Sequence, residues 1–170
     1  MRKVALIGLV IALAIAGGLF LWHLTRGDQD HVRRPTAGTR AASRNNLLQI
    51  GLAFRIWAGD HNDQYPFNVS QAQGGTRELC DRDRDGFEKN PAPVFMVMSN
   101  ELSTTKILVS PNYQATTAAA SFATLTAKNI SYKLRTGATI SPDHPLEMLA
   151  VDPVNDWVLF ADGSVQKGRR

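Results

Sequence analysis

The chain has 170 residues, with 19 Lys and Arg against 15 Asp and Glu, giving a net charge of +4 and a pI near 9.5. Its one cysteine, Cys80, excludes an internal disulfide and leaves the redox compartment open. The positive excess gathers in Arg26, Arg33, Arg34, Arg40 and Arg44 and in Lys167, Arg169 and Arg170, with no aromatic-interleaved basic face, so nucleic-acid binding is not expected.

After Met1-Arg2-Lys3, residues 4–24 form an apolar run without Asp, Glu, Lys or Arg. About 20 such residues span a bilayer as a helix, so the sequence predicts a single transmembrane anchor over 1–25. The rival is a cleaved signal peptide, for which Ala14-Ile15-Ala16 ahead of Gly17-Gly18 supplies a cleavage pattern. A signal core is about 7–15 residues long, whereas Leu19-Phe20-Leu21-Trp22 carries this run further, which favours the anchor. Trp22 and His23 suit the headgroup level. The arginines that follow would attract anionic lipid, each by about 1 kcal/mol. Residues 26–38, with Gly27, Asp28, Asp30, Pro35 and Gly38, read as a linker, and 39–170 as one soluble domain large enough for its own core.

A helix is expected to start at Thr36 or Thr39, either of which can cap it, and to run to about Ala58. Leu47, Ile50, Phe54 and Trp57 make one apolar stripe; Leu48, Leu52 and Ile56, at i, i+4 and i+8, make a second. Two stripes predict a spine covered on much of its circumference. Gly59-Asp60 and His61-Asn62-Asp63 supply the stop, and Pro66 forces extended backbone at Tyr65. Residues 67–93 read as loop. The runs 94–98 and 107–109 are of strand length, although the first could also open a buried helix. Residues 130–134, 148–151 and 157–160 are further strands, and 115–127 a loop or short helix. Asp162-Gly163 marks a hairpin of type I′, which needs positive φ at both central residues. Helix first and strands afterwards predicts an α+β fold: an N-terminal transmembrane helix, then a long spine helix packed on a small antiparallel β-sheet.

Arg44-Asn45-Asn46-Leu47-Leu48-Gln49-Ile50-Gly51-Leu52-Ala53-Phe54, followed by 57–66, resembles the segment after the anchor in bacterial prepilin-like proteins. These are the pseudopilins related to type II secretion and type IV pili, in particular the group ending in an H-x9-DG signature. Gly74-Gly75-Thr76, the stretches 98–103 and 106–109, and 158–165 are similar to that group in the same order, so the resemblance covers 40–165. It implies a pilin-like arrangement and a place in the cell envelope. The prepilin processing motif is absent, and no acidic residue lies in the anchor. Asp152 stands where the signature has His, and Ser110-Pro111 where Cys-Pro is frequent. The resemblance therefore implies a pseudopilin-like domain carried on an ordinary anchor. Arg2 and Lys3 precede the anchor and four arginines follow within 26–40, a count that opposes an inside N-terminus. The short tail and the resemblance favour it. The expectation is a single-pass protein of the bacterial cytoplasmic membrane with its domain on the periplasmic or outer side.

Asp81-x-Asp83-x-Asp85-Gly86 has metal-ligand spacing, because alternate residues of a tight loop can turn carboxylates onto one hard cation. The twelfth position of an EF-hand loop would be Ala92; Glu88, Asn90 or a distant carboxylate would have to close the shell. Calcium is the one cofactor the sequence suggests, and some secretion pseudopilins bind it. The competing reading is a solvated loop in which Arg82 and Arg84 offset the acids. His61 between Asp60 and Asp63 reads as the polar end of the helix, and no histidine pair has ligand spacing. No activated acid, base or nucleophile can be named, so enzymatic activity and a small-molecule substrate are not expected. The functional expectation is a non-enzymatic envelope protein, a component or accessory of a secretion or pilus-like assembly, with envelope or secretion proteins as partners. The alternative is a calcium- or ligand-binding envelope module outside any filament.

Overall fold

The computed structural model describes residues 34–168. The expected anchor at 1–25 and the first part of the linker lie outside the described residues. Helix α1 (Ala37–Gly59) begins where its cap dictates. The Thr36 side chain accepts from Thr39 N at 3.2 Å while Thr36 N donates to Thr39 Oγ1 at 2.9 Å, a reciprocal box that satisfies two otherwise orphaned donors. The helix ends where His61 N and Asp63 N both turn back to Ala58 O, with Asn62 and Asp63 in the left-handed region at φ 54°. The stop read at 59–63 is thus a turn in which the last carbonyls find new donors.

The stripe Leu47, Ile50, Phe54 and Trp57 is buried, each at 3 % exposure or less. Against it pack Tyr65, Phe67 and Phe95, with ring centroids 5.2, 6.1 and 6.1 Å from Phe54. These rings meet edge-on or tilted, which aromatic quadrupoles favour. The Tyr65 hydroxyl donates to Ala161 O and so ties the helix exit to the end of the sheet.

A short helix α2 (Ala92–Val97) follows, so the run 94–98 takes its helical option. The expected strand at 107–109 is mostly a 3-10 turn, Thr105–Leu108, capped by the Thr104 hydroxyl. The sheet is an antiparallel meander in the order β1 (Lys133–Leu134), β2 (Met148–Asp152), β3 (Trp157–Phe160), β4 (Val165–Lys167). Ala150 faces Leu159, and Leu159 faces Val165, so these three buried residues share one face, while Leu149 and Val158 are buried beside them. The β3–β4 connection is not the expected type I′ turn. Gly163 has φ 85°, whereas Asp162 is not in the left-handed region, and Phe160 N donates to Ser164 O. A three-residue loop closing on a left-handed glycine needs only one positive φ.

Gly51 lets this hairpin approach the helix. A Cβ there would lie 2.7 Å from Leu159 Cδ1 and 3.2 Å from Gly163 Cα, and Arg55 Nη1 donates to Asp162 O at 3.0 Å across the same contact. Helix and sheet thus meet through glycine on both sides.

The fold is α+β with an antiparallel sheet, but the expectation of a transmembrane helix and a long spine helix in a pilin-like arrangement is corrected for the described residues. Among the described residues no helix is long and apolar enough to cross a membrane. Nor is there a long spine: the longest described helix has 23 residues, starts at its own cap and is covered on one side only. The second stripe faces outward, with Leu52 at 59 % and Ile56 at 48 % exposure. The reason is that the aromatic cluster, the 3-10 turns and the sheet all gather on the Leu47–Phe54 side. Two apolar stripes need not mean two covers.

Candidate functional site

The densest gathering of polar side chains surrounds Asp152, at the end of β2. Its backbone begins the turn to β3, and its side chain organises that turn: Oδ1 accepts from Val154 N at 2.8 Å and Asn155 N at 3.2 Å. Asp and Asn favour such turns because a short side chain can hydrogen-bond its own backbone two residues on. Oδ2 accepts from Asn155 Nδ2 at 2.6 Å, from Ser110 Oγ at 3.1 Å and from the Ser43 hydroxyl on α1. Ser43 Oγ lies 3.1 Å from the Tyr132 hydroxyl, which also receives Asn46 Nδ2 at 3.3 Å. Asn112 Nδ2 donates to Asn155 Oδ1 at 2.9 Å.

Ser43, Ser110, Asn112, Asp152 and Asn155 are all buried at 2 % exposure or less. Five donors converge on one carboxylate, which is the condition under which a buried charge is tolerated. Burial also pushes the Tyr132 phenol up to about 12, because the ionised form would be poorly solvated. The cluster joins the helix, the 108–112 segment, the approach to β1 and the β2–β3 turn. These side chains bond to one another across the four segments, which holds the elements together.

The sequence-predicted residues Asp81, Asp83 and Asp85 are not brought together as a cation cage. Asp81 pairs with Lys89 Nζ at 2.9 Å. Asp83 Oδ1 accepts from Asp85 N and Phe87 N, both at 2.9 Å, and so shapes the loop. Glu88, a candidate to complete the shell, turns inward, accepting from Asp81 N at 2.9 Å and Thr136 Oγ1 at 3.1 Å. Among the described residues, no group of three or more His, Cys, Asp or Glu is arranged to hold a metal ion. Of these carboxylates, Asp81 is engaged by an ammonium and Asp83 Oδ1 by two backbone N–H groups, contacts with which a calcium ion would compete.

His61 stacks on Trp57 with centroids 3.5 Å apart, and its Nδ1 lies 2.7 Å from Trp57 O, so it belongs to the helix end. Burial raises the Cys80 thiol to about 11, and its Sγ sits 3.3 Å from Thr76 O; a thiol held protonated is a poor nucleophile.

Two surfaces remain open to a partner. One is the outer side of α1, where Leu52 and Ile56 are about half exposed beyond Leu48, which is part-buried against the core. The other is a pair of clefts of about 490 and 450 Å³ that share Ala127 and Lys128. Sequence reasoning found the first as a stripe but gave it the wrong environment, and it missed the second, whose walls come from four separate stretches of the chain. The Asp152 cluster was missed as well. Its signal was Asp152-Pro153-Val154-Asn155, a turn sequence with an acid at its head. Comparison with protein-family models, with curated proteins and with solved structures finds no match to this chain.

Proposed function

We propose that this protein works by binding other envelope proteins, as a non-enzymatic component or accessory of a secretion or pilus-like assembly. The observation that carries this reading is the outward stripe of α1. Leu52 and Ile56 sit one turn apart, about half exposed, on the helix that bears the sequence resemblance to prepilin-like proteins. Covering the exposed part of each would contribute about 1 kcal/mol, enough to help seat a partner helix and too little to hold one alone. The polar cluster around Asp152 supports the same reading, because its side chains are committed to one another in the interior.

The test is photo-crosslinking from positions 52 and 56 in native membranes, with the crosslinked proteins identified by mass spectrometry. The proposal expects secretion or pilus-assembly proteins from both positions and none from Gln166, which is exposed on β4. If neither helix position recovers such a protein, the interaction reading is to be abandoned.

A further inference from the structure

We infer that the two joined clefts form a groove for an extended acidic segment of a partner protein, an acid drawn to Lys128 and Lys133 and an apolar side chain seated beside Met96. This rests on the interaction reading above and gives it a second surface with a stated chemistry. The first cleft, about 490 Å³, is lined by Lys89, Lys128, Lys133 and Tyr113. The second, about 450 Å³, is lined by Pro93, Met96 and Leu125 and meets the first at Ala127 and Lys128. Basic and apolar linings therefore succeed one another along one surface.

The charge of this groove is unbalanced. The single acid in the first cleft, Glu88, is buried, and its carboxylate accepts from Asp81 N and from the Thr136 hydroxyl. Lys89 is paired with Asp81, but Lys133 lies 5.5 Å over the Phe87 ring, and neither it nor Lys128 makes an ion pair among the described residues. Lys128 and Lys133 are exposed cations lining one cleft, and an incoming carboxylate is attracted to both. At the other end, Met96 is 39 % exposed against the buried Leu125, and an unbranched thioether adapts to varied apolar partners.

The shape also suits a chain rather than a compact ligand, because the two clefts meet at Ala127 and Lys128 and an occupant that reaches both linings must extend along the surface. Pockets of unlike lining choose the side chains of such a segment. Strand β1 adds no main-chain pairing, since Glu88 N already donates to Leu134 O on its outer side.

Selection of a displayed library of short random peptides on the full-length protein in detergent tests this directly. The selected peptides should carry Asp or Glu at one end and a large apolar residue at the other. Their affinity, read by fluorescence anisotropy, should fall at least about tenfold on Lys128→Glu, where attraction becomes repulsion, and also on Met96→Asp. Both residues are exposed, so both variants should melt as the parent does. Selection of basic or uncharged peptides, selection of nothing, or unchanged affinity in both variants would overturn the groove. Acidic lipid vesicles and a single-stranded oligonucleotide serve as competitors; displacement of the peptide by either as readily as by unlabelled peptide would show a general anion surface and refute the peptide assignment. Failure here with crosslinks kept at positions 52 and 56 refutes the groove alone, whereas loss of those crosslinks refutes the reading beneath it.

Discussion

Asp152 offers the sharpest test of how this domain is held together. Asp152→Ala removes the acceptor of five donors: Val154 N, Asn155 N, Asn155 Nδ2, Ser110 Oγ and Ser43 Oγ. Ser43 can turn its hydroxyl to Tyr132, and Asn155 Nδ2 keeps Ser110 Oγ as an acceptor. The two backbone N–H groups of the turn and the Ser110 hydroxyl are the donors left without an acceptor. A buried donor without a partner costs about 1–3 kcal/mol, so a loss of at least about 3–5 kcal/mol is expected. Asp152→Asn keeps one oxygen for the turn and replaces the other with an NH2 group. The hydroxyls can rotate to accept from it, but Asn155 Nδ2 can only donate, so about 1–3 kcal/mol is lost. At about 3–4 °C per kcal/mol for a domain of this size, Asn should lower Tm by about 3–10 °C and Ala by more than about 10 °C. Urea melts should give an unchanged m-value for the Asn variant. Coupling between Ser43→Ala and Asp152→Asn should appear in a double-mutant cycle. An Ala variant melting within about 2 °C of the parent, or an Asn variant less stable than Ala, would refute the reasoning, because the cluster would then not be a saturated carboxylate.

Gly51→Ala should cost about 1–3 kcal/mol in a urea melt, because its Cβ would overpack Leu159 and the Gly163 backbone; Gly59→Ala, with open space around it, should not destabilise. Burial raises the Tyr132 and Tyr65 phenols from 10.0 to about 12. Between those values the unfolded chain has lost protons that the folded one keeps, so stability is intact below pH 10 and falls as pH rises towards 12. Tyr132→Phe should flatten that decline in melts taken across the range. Calcium should leave the melting temperature unchanged, whereas a site filled at a hundredfold excess over Kd would add about 2.7 kcal/mol.

Much of the fold was legible because it rests on local signals. Thr36 as a cap, the buried stripe through Trp57, the stop at 59–63 and the strands from 148 onward each follow from nearby residues. The middle of the chain was harder to read. Ile107 and Leu108 are apolar and of strand length, yet they sit in a 3-10 turn because no neighbouring strand is there to pair with them. The second stripe misled for a different reason: Leu52 and Ile56 specify what the helix surface is, not whether anything covers it. The hairpin was found but its turn type was not, since an Asp-Gly pair serves a one-glycine loop as well as a type I′ turn. Of the candidate sites, the Asp81–Asp85 spacing was visible, but spacing does not reveal that Lys89 and backbone N–H groups take up the oxygens. The Asp152 cluster unites residues as far apart as 43 and 152, a convergence that exists only in the folded chain.

The central claim is that the outer side of α1 is for a partner and not for the fold. The most direct measurement is the double variant Leu52→Glu, Ile56→Glu, assayed for melting temperature and for crosslinking in native membranes from a probe placed at the neighbouring Gln49, exposed on the same helix. The account predicts a melting temperature close to the parent's, since both side chains already face solvent, together with loss of the crosslinks to envelope assembly proteins. Unchanged crosslinks, or a domain that no longer folds, would contradict it.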